Sequence, residues 1–228
     1  EGKDKKLLVG NMDQTPIYFD MRRNTTYHYK GERSIKLIRT NGHKKRVTVC
    51  LAMLSDGSKL PPFIIFKGQN PPTNPCQKTC VVASNSNAWI TESLMETWVL
   101  EIWRKMKIDE KFKKLLILDH CSSHRKDKIK DLIKEDSFLE YVPPGCTSLG
   151  QPLDLRINKI FKDKLREYYE EWISKLGLLK SNTTKNGNIK APSSILVIKW
   201  INKAWSSIDA DSIIASFKAA GKTHFNQK

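Results

Sequence analysis

Apolar residues fall first into short unbroken runs cut by polar residues, and later into longer stretches with helical spacing. Leu115 to Leu118 is a four-residue apolar run that stops at Asp119. A run too short for a helix and bounded by polar residues predicts a buried strand. Leu7 to Met12 repeats the pattern and ends at Asp13. Ile35–Ile38, Val47–Leu54 and Phe63–Phe66 predict further strands, with turn signals at Asn41-Gly42 and Asp56-Gly57. Their close succession predicts a meander of sequential antiparallel strands. Phe138 to Val142 predicts a later strand, stopped by Pro143, Pro144 and Gly145.

Helical spacing accounts for most of the rest. Arg125 to Glu135 sets Ile129, Leu132 and Ile133 on one face of a charged surface helix. Thr91 suits an N-cap, with Ile90 and Met95 as a hydrophobic staple. Met95, Trp98, Val99, Ile102, Trp103 and Met106 then form the buried face. Tryptophans at that spacing predict core packing ahead of base stacking. Beyond Pro152, a stripe of Leu153, Ile157, Phe161, Leu165, Tyr168, Trp172 and Leu176 predicts a long helix. At 100° per residue, Asp154 projects only about 20° from Phe161, so the acid is expected to face the sheet. Two last helices are predicted over Ser194–Ser206 and Asp209–Ala220, with Gly221 as the stop. The pattern is α/β. It predicts a single domain over 1–228, with a core over 1–176, a loop over 177–192 and C-terminal helices over 193–221.

Charge changes the picture next. The formal net charge is +16, a signal for polyanion binding that says nothing about fold. Nucleic acid is the first expectation, because Lys and Arg neutralise phosphates; an anionic surface binder without chemistry is the weaker one. No apolar stretch is long enough to span a membrane, and no signal peptide is expected. The chain opens on Glu1 rather than Met, which suggests a piece of a longer protein. Five scattered cysteines suggest reduced thiols in an intracellular protein. Cys76 and Cys80 are four apart, but no paired histidines accompany them, so they are not expected to hold zinc.

Three acids carry the candidate chemistry. Asp13 and Asp119 follow buried runs, and Asp154 opens the long helix. Taken singly, each suits a turn or a helix N-terminus. Brought together by an α/β fold, they would repel one another, and a hard divalent cation would relieve that repulsion. Two such ions can clamp the attacking and leaving oxygens of a phosphoryl displacement.

The runs NMDQTPIYFDM, KLPPFIIFKG, LLILDHCSSH, VPPGCTSLGQPLD and INKIFKDKLREYYEEW resemble the catalytic domain of pogo-like transposases, the Tigger and jerky relatives of the mariner-like group. IKWINKAW and SFKAAGKT are similar to that family's closing helices, so the likeness covers about Gly10 to Gly221. The resemblance implies an RNase H-like fold: a mixed central sheet flanked by helices, with extra C-terminal helices. It implies a metal-dependent endonuclease and strand transferase whose catalytic and metal-binding acids are Asp13, Asp119 and Asp154. Thirty-four residues separate the last two. It further implies two Mg2+ or Mn2+ ions, double-stranded DNA with transposon ends and a TA target, and the nucleus as the compartment. N-terminal helix-turn-helix domains, common in the family, are missing from this chain, and a homodimer is compatible with the family.

The chain departs from the family pattern at Gln14, where many relatives carry an acid, at Gly150, where leucine is more usual, and at His120, where asparagine is frequent. The triad itself is intact. His124 matches a family histidine and is expected either to contact DNA phosphate or to make a structural hydrogen bond. Arg156, Lys159 and Lys162 follow Asp154 and are candidate DNA-backbone contacts. Lys44, Lys45 and Arg46 form a basic cluster that is either a solvated face or a weak nuclear-localisation signal. The competing expectation is a domesticated transposase-derived DNA-binding or interaction module without catalysis.

Overall fold

A 13-residue strand, β1 (Lys6–Tyr18), organises the sheet. The computed structural model describes residues 6–21, 30–31, 40–42, 44–176, 182–185 and 188–222. The remaining strands are β2 (Arg46–Leu54), β3 (Phe63–Lys67), β4 (Val81–Asn85), β5 (Phe112–Leu118) and β6 (Ser137–Tyr141). The spatial order is β4-β3-β2-β1-β5-β6. β1, β2 and β3 pair antiparallel, whereas β4 joins β3, β5 joins β1 and β6 joins β5, all in parallel. The expected antiparallel meander holds from β1 to β3, and β4, which no sequence pattern predicts, adds to it in parallel. The predicted strand Ile35–Ile38 lies outside the described residues.

Each central strand is apolar on both faces, as a sheet covered on both sides requires. One face sends Leu8, Met12, Cys50, Phe63, Leu116 and Leu118 into a core shared with α1 (Glu92–Trp98), the π-helical turn Val99–Trp103 and α2 (Asp127–Lys134). The other face sends Val9, Ile17, Val49, Ile64, Leu115 and Ile117 into a second core. That core is closed by α4 (Asn158–Leu176), α5 (Ser194–Ser206) and α6 (Ala210–Ala219), while the four-residue α3 (Thr147–Gly150) precedes α4. Odd and even positions of β1 go to opposite cores, the period-two rule of a strand. The C-terminal helices are fastened to the sheet by polar contacts as well. Trp205 Nε1 donates to Leu60 O at 2.8 Å, and Lys59 Nζ donates to the carbonyls of Trp205 and Ser206 at 3.0 and 2.9 Å, closing the end of α5.

Thr91 is the N-cap of α1, as predicted, its hydroxyl accepting from Leu94 N. Two differences bear on the site. β1 does not end at Asp13 but continues to Tyr18, so the first acid lies within a strand. The long helix does not begin as a regular α-helix. Leu153–Ile157 is a π-helical turn in which Asn158 N donates to Leu153 O, and α4 follows it.

Candidate active site

The parallel pairing of β1 with β5 sets Asn11 beside Ile117. Continuing that register by two residues brings Asp13 level with Asp119, which follows the last residue of β5. Acids just past the carboxyl end of a parallel strand sit where open α/β sheets place their sites.

Asn11 brings the third acid in. Its fully buried side chain donates to Ile117 O at 3.1 Å and accepts from Leu153 N at 3.0 Å. One amide thus ties β1, β5 and the turn that carries Asp154. Asn158, one π-turn further, completes the approach. Its Nδ2 donates to Asp13 Oδ2 at 2.6 Å and to Asp154 Oδ1 at 3.0 Å. The two carboxylate oxygens therefore lie no farther apart than those two bonds laid end to end. Asp154 remains exposed, contrary to the inward projection expected from an α-helical step. The physical reason is the π-turn: it adds a residue to the turn and rotates every position against the 100° register.

Asp119 is held from the other side. His124 Nδ1 lies 2.6 Å from Asp119 Oδ1, and the Cys121 amide donates to the same oxygen at 3.1 Å. His124 Nε2 lies 2.9 Å from Gln14 Nε2, so the residue next to Asp13 reaches Asp119 through one imidazole. An amide nitrogen can only donate, so that contact makes Nε2 the acceptor and leaves the ring proton on Nδ1, facing the carboxylate. His124 is completely buried and its carbonyl accepts from Tyr141 Oη at 2.7 Å. The arrangement is a structural relay of close polar contacts; the ring is not turned toward solvent, where a phosphate would lie.

The electrostatics of the acids differ. Burial, then the Asp154 charge, pushes Asp13 up to about 7, against the opposing hydrogen bond from Asn158; Asp119 adds a smaller push. For Asp119, burial acts upward, but the His124 hydrogen bond and charge and the Cys121 amide outweigh it and hold it below its ordinary value. The crowding of Asp13 against the other carboxylates is a repulsion that a bound cation would relieve. The donors are hard oxygens, which suit Mg2+ or Mn2+. Asn158 Oδ1 is buried and has no hydrogen-bond partner among the described residues. Turned over, that amide offers a neutral oxygen where it now offers a proton.

Asp13, Asp154 and Asn158 line a cleft of about 590 Å3 together with Lys159, Lys162 and Arg166. Of the three predicted basic residues, Lys159 and Lys162 face this cleft, whereas Arg156 is not among its lining residues and its charge acts on Asp209. Asn11, Asn158 and Arg166 escaped the sequence reading. Asp154 and Asn158 are four apart, the spacing of neighbours on a helix, and that was the available signal.

The profile of the DDE superfamily endonuclease family matches residues 44–217. The human protein "Pogo transposable element with KRAB domain" is 33% identical over 213 residues, which are 92% of this chain and 34% of that protein. The chain thus spans about a third of the length of that protein and of its mouse counterpart. Among solved structures, the Mos1 mariner paired-end complex with Mn has a TM-score of 0.60 at 11% identity, covering 94% of this chain and 53% of that one. The Mos1 transposase paired-end complex with left transposon end also reaches 0.60, at 12% identity, covering 95% and 52%. These likenesses identify the fold as RNase H-like, a mixed six-stranded sheet flanked by helices.

Proposed function

Because the chain belongs to the DDE superfamily endonuclease family, we propose that it is a transposase catalytic domain that cleaves DNA strands and transfers them by metal-dependent phosphoryl transfer. Asp13, Asp119 and Asp154 are its catalytic acids and hold two Mg2+ or Mn2+ ions. One observation carries this reading: the oxygens of Asp13 and Asp154 meet on the single amide nitrogen of Asn158, while Gln14 and His124 tie Asp119 to the same strand.

When bound, the ions supply Lewis acidity at the phosphoryl oxygens and a nucleophile at neutral pH. The rest falls to the chain. His124 and Gln14 fix the orientation of Asp119. Asn158 sets the separation of the other two acids, and Asn11 fixes the height of the helix that carries Asp154. Lys159, Lys162 and Arg166 along the cleft position the DNA backbone. The buried His124 serves the acids rather than the DNA.

The substrate of this reading is double-stranded DNA, with transposon ends as donor and TA as target. The relatives extend well beyond the matched region; in this reading additional DNA-binding domains recognise the transposon ends, in the nucleus and within a homodimer. No helix among the described residues is long and apolar enough to cross a membrane.

The test is cleavage of nicked and pre-cleaved DNA with Mg2+ or Mn2+, using protein to which N-terminal DNA-binding domains have been restored. Asp119→Asn should lose at least about a thousandfold in rate, about 4 kcal/mol of transition-state stabilisation, yet keep salt-dependent DNA binding. Cleavage retained in Asp119→Asn overturns the proposal. A wild-type protein that binds DNA and never cuts it would point instead to a domesticated binding module.

A further inference from the structure

Asp119 Oδ1 faces a set of donors different from the other acids. Cys121 Sγ, His124 Nδ1 and a carboxylate oxygen of Asp119 all lie within 4.8 Å of one another. Among the described residues this is the only group of three or more such side chains drawn together so closely. The spacing Asp-x-Cys-x-x-His puts all three on one tight turn after β5, where His124 N donates to Cys121 O at 3.0 Å. Cys76 and Cys80, the pair that sequence spacing brings forward, have no such third partner; Asn74 engages both instead.

From this geometry we infer a second metal site on the chain, selective for thiophilic borderline ions of the Zn2+ class, built from Asp119 Oδ1, Cys121 Sγ and His124 Nδ1. A tetrahedral zinc with these ligands needs them about 3.3–3.6 Å apart. The 2.6 Å Asp119–His124 contact must therefore open to admit the ion, with the thiol drawn in alongside it. Cys121 is half-buried and, among the described residues, its Sγ makes a 3.3 Å contact to Ser123 Oγ that it can leave to make that movement. His124 must present Nδ1 unprotonated. Gln14 allows this by turning its amide over, so that its oxygen accepts a proton on Nε2. The ring proton moves from Nδ1 to Nε2, and the Cys121 thiol proton leaves to solvent as the ion binds. Three protein ligands leave the fourth position to water, an open site rather than a structural one.

Softness separates this site from the acid cluster. Mg2+ avoids thiolate, whereas Zn2+ and Co2+ take sulfur and imidazole readily. The consequence for activity rests on the catalytic reading above: an ion on Oδ1 neutralises Asp119 and dismantles its His124 relay, so Zn2+ inhibits the Mg2+-supported reaction.

The experiment is a titration of the full chain with Co2+ and Zn2+, each alone, followed by absorption and calorimetry. One equivalent of Co2+ should give a thiolate-to-metal charge-transfer band that Zn2+ abolishes and Mg2+ does not. Cys121→Ser should lose the band and bind Zn2+ at least about tenfold more weakly, whereas a Cys76→Ser, Cys80→Ser double variant should keep both. A band that survives in Cys121→Ser, or equal Zn2+ affinity in that variant, overturns the proposal. So does Co2+ binding without any sulfur band, which would place the ion on the acids alone. A protein that shows the band but never cleaves DNA would overturn the catalytic reading and leave this site standing.

Discussion

Asn11 accepts the Leu153 amide proton at 3.0 Å while donating to Ile117 O at 3.1 Å, and it does so from complete burial. Replacing it with leucine keeps the approximate volume and strips both partners. Each buried backbone group left unpaired costs about 1–3 kcal/mol. Asn11→Leu should therefore lose about 2–6 kcal/mol in a denaturant titration. It should also lower divalent-ion affinity, because the turn bearing Asp154 loses its anchor. A variant as stable as the wild type would show that another contact sets the height of that helix.

Gly10 stands on β1 directly under a tryptophan. A Cβ there would come 2.5 Å from Trp103 Cζ3, a ring that is fully buried and whose Nε1 donates to Ser137 Oγ at 2.9 Å. Gly10→Ala should cost about 1–3 kcal/mol, the usual penalty of overpacking. Combining it with Trp103→Phe should recover part of that loss in thermal unfolding, since the smaller ring vacates the contested volume. Additive losses in the pair would contradict the steric explanation.

The raised Asp13 sets a pH dependence for the metal-free protein. Its folded value of about 7 stands above the ordinary 3.8, so between those limits the folded chain binds more protons at this site than the unfolded chain. Stability then falls as pH rises through that window and is level above it. Below the ordinary value both states are protonated and the effect is absent. Asp13→Asn should flatten this part of the profile and be the more stable protein at pH 8 without metal. Chemical denaturation of both proteins from pH 4 to pH 8 checks the sign. A wild type that gains stability relative to Asp13→Asn as pH rises would contradict it.

Much of this architecture was legible in the sequence because it rests on patterns that tertiary contacts do not disturb. Leu115–Leu118 ends at Asp119 as β5 ends there, since a charged residue closes a run buried on both faces. The caps at Thr91 and the stop at Gly221, which adopts φ +68°, are local chemistry and were read correctly. β4 escaped notice because Val81–Asn85 is only half-buried and lacks an apolar run. Asp13 looked like a strand terminus because an acid within a buried strand is disfavoured, and only the neighbouring Asn158 and the site itself justify it. The outward turn of Asp154 was hidden because periodicity assumes 3.6 residues per turn, and nothing in Leu153–Ile157 announces a π-turn.

The central claim is that Asp13, Asp119 and Asp154 share divalent ions, and anomalous diffraction from crystals soaked in Mn2+ tests it most directly. The predicted result is a peak among the three carboxylates, lost in Asp119→Asn, with a second peak about 3.5–4 Å away once DNA is bound. Peaks confined to other acids, or Mn2+ density unchanged by Asp119→Asn, would contradict the account.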